Sequence, residues 1–245
     1  MVALRTPLLV ALLLAPALGL VAAPVPKDTT KRLPDTDDAV PTTEADRQKN
    51  RATSSNNLKQ IGLAVHNFAS ANQDRLPFDI ADKDGKALLS WRVRILAYVE
   101  EDGLYRKFKL DEPWNSEHNL TLLEKMPAVF DSPRAKARKG YTVYQGFHGK
   151  GAVLSSGLAI AAIPDGTSNT IWCTEATAAV PWTKPADIPF DEDKPLPKFG
   201  KAFDEKPLAL LCDGSVRYID LKKVSEKTLK LAILTNDGTP LGADW

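Results

Sequence analysis

Carboxylates are abundant in this chain, so a pair suited to general acid–base chemistry can be found among Asp165, Glu175 and Asp213. Two of these three open an Asp-Gly step, Asp165-Gly166 and Asp213-Gly214, and Thr167, Ser168 and Asn169 follow the first. Short polar side chains at such steps bond nearby backbone amides. A turn role for Asp165, Gly166, Asn169, Asp213 and Gly214 therefore outweighs catalysis. His66, His118 and His148 show no metal-ligand spacing, and Asp191-Glu192-Asp193 lacks the spacing and the glycine of a calcium loop. Neither a Gly-x-Ser-x-Gly elbow nor a Walker-type glycine loop occurs. The sequence thus assigns no catalytic residue, no metal site and no cofactor.

Two cysteines, Cys173 and Cys212, are too few for a disulfide scaffold. Both fall in expected strands, so each is a buried thiol or half of one bridge, not a nucleophile. Arg134, Lys136, Arg138 and Lys139 form a basic run without interleaved aromatic rings. With 32 basic and 31 acidic residues overall, nothing favours nucleic acid. Trp182, between prolines in a long connection, can stack on a sugar face or a peptide, with Lys184 and Phe190 near it. The competing and preferred reading has Trp182 and Phe190 pinning that connection to the body.

These residues need a scaffold, and its periodicity is legible. Leu58, Ile61, Val65 and Phe68 share one helical face over residues 54–72, with Gly62 marking a place where something packs closely. Ser90, Asn115 or Ser116, and Ser225 read as caps of further helices. The second half changes period. Strands are expected from Tyr141 to Phe147, Leu158 to Ile163, Thr170 to Thr174, Leu208 to Cys212 and Ser215 to Ile219, the last two joined at Asp213-Gly214. Residues 177–207 form a long connection with six prolines. Helices first and antiparallel sheet second make an α+β fold.

Ahead of this lie two segments of different character. Arg5, the apolar run Leu8 to Leu14 and the small residues at Leu20-Val21-Ala22-Ala23 follow the order of a secretory signal, residues 1–22. Residues 23–50 are polar and proline-rich and read as a flexible linker whose later part can be helical, since Thr43 and Asp46 have capping-box spacing. The domain proper is expected over 51–245. An exported, secreted or periplasmic product without a stable membrane span after cleavage follows, in a compartment that permits a Cys173–Cys212 bridge.

Several runs resemble one bacterial family. Ser55-Asn56-Asn57-Leu58-Lys59-Gln60-Ile61-Gly62-Leu63-Ala64 looks like the signature of the domain-of-unknown-function family numbered fifteen fifty-nine. Ser90-Trp91-Arg92-Val93, Asp111-Glu112-Pro113-Trp114-Asn115, Asp165 to Ile171, Glu175 with Ala179 to Pro185, and Asp213 to Arg217 match in order. The resemblance implies a pilin-like α+β fold, an N-terminal helix and short helices packed on an antiparallel sheet, as in pseudopilins. It carries no established activity, and some classifications group the family with solute-binding proteins. The family's apolar pilin segment is replaced here by the signal and polar tether. The small apolar residues common in the family at positions 173 and 212 argue for two isolated thiols. The expected function is a non-enzymatic structural or protein-interaction domain of the cell envelope, its partners envelope proteins or glycan. A periplasmic solute- or glycan-binding protein is the alternative, and a hydrolase using Asp165, Glu175 or Asp213 comes third.

Overall fold

The structure, a computed structural model, describes residues 43–155 and 157–245. The signal assigned to residues 1–22 and the linker as far as residue 42 lie outside the described residues.

Helix α1 (Glu44–Ala71) opens on a capping box. Thr43 Oγ accepts from the Asp46 amide, and the Asp46 carboxylate accepts from the Thr43 amide, both at 3.1 Å. The helix therefore starts ten residues ahead of the Ser54 signal, and residues 44–50, assigned to the linker, are its first turns. Satisfied amides at the N-terminus and the Glu44–Arg47 pair at 2.7 Å support these turns without any buried apolar face. The first buried residue is Ser54. Leu58, Ile61, Val65 and Phe68 then follow on the inner face, as their spacing requires.

Short elements follow: β1 (Ile80–Ala81), β2 (Ala87–Leu89), α2 (Trp91–Arg94), α3 (Asp102–Tyr105) and α4 (Glu117–Leu120). Ser90 and Ser116 cap α2 and α4 through their hydroxyls. The second half supplies β3 (Tyr141–Gln145), β4 (Phe147–His148), β5 (Ile171–Pro181), β6 (Ile188–Pro189), β7 (Leu208–Leu211), β8 (Val216–Tyr218) and the closing helix α5 (Glu226–Leu231), which Ser225 caps. The main sheet has four antiparallel strands in the order β3-β5-β7-β8, and β4 pairs with β6 in parallel beside it. The α+β class is thus the observed one.

Alternation along β7 splits the interior. Leu208, Leu210 and Cys212 face α1, with Trp91, Trp172, Tyr144 and Phe130 in the same core. Ala209 and Leu211 face the other side, where Ile233, Leu229, Phe147, Phe190 and Phe199 form a second core. Sequence reading differs from the structure in three strands, the first being Tyr141 to Phe147, which breaks at Gly146 into β3 and β4 of two different sheets. The stretch Leu158 to Ile163 is not a strand: bracketed by Gly157 in the left-handed region and by Pro164, it makes one bridge, Arg75 to Ala159, and a 3-10 turn. Strand β5 runs on to Pro181, well past Thr174, because register shifts in both its ladders let it bend with its neighbours.

Gly62 is explained by what it touches. A Cβ placed there would lie 2.8 Å from Leu210 Cδ1 and 3.2 Å from the Gly214 Cα, so α1 rides directly on the β7–β8 turn. Alanine gains about 1 kcal/mol of helix propensity, but overpacking against backbone costs roughly 1–3 kcal/mol. We expect Gly62→Ala to lose about 1 kcal/mol net in urea denaturation; a more stable variant would show the contact to be slack.

Candidate functional site

Nothing before Ser54 in α1 is buried, so residues 44–53 form an exposed stem carrying Glu44, Asp46, Arg47, Lys49 and Arg51, with its Gln48–Ala52 side against the edge of the sheet. Beside it runs a groove of about 400 Å³, walled by Gln48, Arg51, Ala52 and Ser55 and floored by Leu208, Val216 and Tyr218. Strand β8 is the sheet's edge there. Its odd residues bond β7, as Ser215 O accepts from Leu211 N at 2.8 Å and Ile219 N donates to Pro207 O at 3.0 Å. Antiparallel alternation then turns the backbone groups of Val216 and Tyr218 outward. The Arg51 guanidinium lies 5.1 Å from the Tyr218 ring centroid and Arg134 lies 5.9 Å from it. An apolar floor, one cationic wall and an outward-facing strand edge suit the docking of an extended segment. No carboxylate, histidine or cysteine lines this groove. A second groove, of about 380 Å³, lies across α5 and is lined by Glu192, Glu226, Lys227, Lys230, Leu231 and Leu234.

The residues singled out for ligand binding do not converge. Trp182 is fully buried, stacked on Phe130 at 5.8 Å and edge-on to Phe108 at 5.7 Å, and its Nε1 donates to Leu123 O at 2.9 Å. No face remains for a sugar. Phe190 is buried in the opposite core against Phe147, while Lys184 Nζ sits 5.5 Å from the Trp114 ring centroid. Trp182, Lys184 and Phe190 therefore do not converge on one surface. Trp182 and Phe190 anchor the long connection in two different cores.

Cys173 and Cys212 are free, buried thiols, and burial pushes both well above the usual thiol range. They are not opposite one another: Cys173 pairs with Leu210, and the Cys212 amide bonds Thr170 O, so the ladder sets them diagonally. That offset is the physical reason for the missing bridge.

The turn residues hold backbone. Asp165 accepts from the amides of Asp237 at 2.7 Å and Gly238 at 3.0 Å, fastening the C-terminal segment. Asn169 Nδ2 donates to Asp165 O at 3.1 Å, and Asp213 accepts from the Ser215 amide at 2.8 Å. Gly166 and Gly214 take φ of +96° and +85°, which side chains other than glycine rarely adopt.

Glu175 is a strut. Its side chain is wholly buried; Oε1 accepts from Ser54 Oγ at 2.7 Å and Ser132 Oγ at 3.2 Å, while Oε2 accepts from the Leu208 amide at 2.9 Å and from Arg134. Tyr144 reaches the same Ser54 hydroxyl at 2.8 Å. Burial pushes the Glu175 carboxyl up, and Arg134, the amide and the serines pull against it. One carboxylate thus ties α1, β7 and the loop after α4 to β5.

A second buried ion pair was not foreseen. Arg92 donates to Asp187 Oδ1 at 2.8 Å, to Ser90 Oγ at 2.6 Å and twice to Tyr144 O, at 3.1 and 2.6 Å. A signal for it existed: Arg92 stands in a short helix whose neighbours Trp91, Val93 and Ile95 are all apolar. Among the described residues, no three His, Cys, Asp or Glu side chains gather as a metal ion would need.

The geometry defines a helix-on-sheet α+β domain whose buried ions tie its elements together and whose two shallow grooves lie beside the exposed stem and across α5. Residues 45–153 match the family model SBP_bac_10, described as "Protein of unknown function (DUF1559)". The resemblance drawn from Ser55 to Ala64 therefore holds, and the match spans α1 to just past β4. Neither the curated proteins nor the solved structures give a match.

Proposed function

We propose that this chain is a non-enzymatic interaction or structural head of the cell envelope, pilin-like in plan but without a filament-forming helix, docking partners at the groove beside its stem. The observation that carries this reading is the stem itself. A pilin subunit packs an apolar helix half into a shared core, whereas residues 44–53 present five charges to solvent. Placing such charges in an apolar bundle costs several kcal/mol each, so the helix is suited to standing free. Export is supported by the signal-like order of residues 1–23, and among the described residues no helix is long and apolar enough to cross a membrane.

Fractionation of the native host together with site-directed photo-crosslinking tests it. The processed chain should appear in the soluble extracytoplasmic fraction. A photo-reactive residue at Ser55 should capture a discrete partner that the same residue at Lys227, on α5, does not. Recovery in sedimenting filaments that need detergent to dissociate, or equal capture from both positions, would overturn the reading.

A further inference from the structure

Away from the groove, the segment 182–190 crosses α2 and is held there by one small cluster. Asp187 Oδ1 receives Arg92 Nη2 at 2.8 Å, the Gly146 amide at 2.8 Å and Trp91 Nε1 at 3.4 Å. Ser90 N donates to Thr183 O at 2.9 Å, and β6 pairs with β4 through Ile188 N to Gly146 O at 2.9 Å and Phe190 N to His148 O at 2.8 Å. Asp79 joins from the other side, its Oδ1 accepting the Trp91 amide at 2.8 Å at the start of α2. Arg94 fixes that neighbour in place, donating Nε to Phe78 O at 2.7 Å and Nη2 to Asp79 O at 3.1 Å.

Of the two carboxylates in this cluster, Asp187 is ion-paired with Arg92, while the Asp79 carboxylate takes the Trp91 amide. Asp79 and Asp187 are bridged by Trp91, whose amide donates to the first and whose Nε1 donates to the second, and the fully buried Arg92 bonds only Asp187 of the two, spending its other donors on Tyr144 O and Ser90. Facing Asp79 are Arg92 and Arg94 from α2, Asp187 from the crossing segment and His148 from β4. We propose that this cluster is a proton-controlled clasp: with Asp79 neutral, Asp187 and Arg92 pair undisturbed and segment 182–190 is held; with Asp79 ionised, its repulsion of Asp187 loosens that segment locally.

The direction agrees with the environment. Burial first, and Asp187 second, raise the Asp79 carboxyl to about 6, against Trp91 N, Arg92 and His148. A carboxyl raised in the folded state binds its proton more tightly there than in the open state. Its contribution to holding the segment is complete below the ordinary aspartate range and is lost as pH rises through about 6.

Amide hydrogen exchange on the full chain at pH 5 and pH 7.5, corrected for intrinsic rates, reads this out. Protection of the Gly146, Ile188 and Phe190 amides should be severalfold greater at pH 5, up to about tenfold, while Cys212, bonded to Thr170 O in the main sheet, should not change. In Asp79→Asn, which keeps an acceptor for Trp91 N, protection should be high and equal at both values. Unchanged protection in the wild type, an equal rise at Cys212, or undiminished pH dependence in the variant would overturn the clasp. A carboxyl-carbon NMR titration of the wild-type chain needs no variant: a midpoint for Asp79 near 6 supports the proposal, and one below 4.5 defeats it.

Discussion

Replacing Arg134 by methionine should cost about 3 kcal/mol of stability at pH 7.5 and distinctly less at pH 5. Methionine keeps much of the aliphatic stem but gives up the guanidinium's place over the Phe203 and Tyr218 rings and its bond to Lys206 O, so the pH dependence, not the size of the loss, isolates the pairing with Glu175. What remains is a wholly buried Glu175 whose largest opposing influence has gone, leaving the Leu208 amide and two hydroxyls. Its carboxyl, already raised by burial, rises further. A folded-state value above the unfolded one means that stability is retained at acid pH and lost as pH climbs through the folded value. The deficit of Arg134→Met should therefore widen from pH 5 to pH 8, and adding Glu175→Gln should remove the widening. Urea titrations at the two pH values decide the matter; a deficit under about 1 kcal/mol, or one flat with pH, would show that Glu175 is not a strut.

Truncation of Trp182 should be costlier still. A fully buried large aromatic replaced by alanine loses about 3–5 kcal/mol, transfer and cavity together. Here the hole would open between Phe130 and Phe108 in the α1-side core. Trp182→Phe keeps a ring against Phe130 but gives up the Nε1 bond to Leu123 O and part of the indole's volume, a loss of roughly 1–3 kcal/mol. Thermal and urea unfolding of both variants measure this ordering. Near-native stability in Trp182→Ala would mean that the ring sits outside the core.

These two residues show where the sequence is readable and where it is not. Trp182 was conspicuous as a ring among prolines, and the choice between ligand contact and anchor turned on burial, which spacing alone does not reveal. Periodic features were legible: the inner face of α1, the serine caps, the Asp213-Gly214 turn and the close approach at Gly62 all follow from local chemistry. Arg134 lay hidden in a run of four basic residues that looked uniform, because its partner is 41 positions away. Asp79 and Asp187 escaped for the same reason: each looks like an ordinary loop aspartate until the fold lays segment 182–190 over α2. The stem was missed in part because a helix without an apolar face carries no periodic signal, and its cap at Thr43 and Asp46 was the only mark.

That stem also fixes a direction. Ten helical residues span about 15 Å, and ten residues of flexible polar chain have a root-mean-square span of roughly 16–19 Å. Reach is therefore almost the same in either form. What differs is orientation: a coil would let the body tumble about its point of attachment, whereas a helix continuous with the core transmits the bearing of Thr43 to the whole sheet. The groove beside the stem then opens at a set angle to the stem axis, so under the proposed docking the Val216–Tyr218 edge is reached from one side.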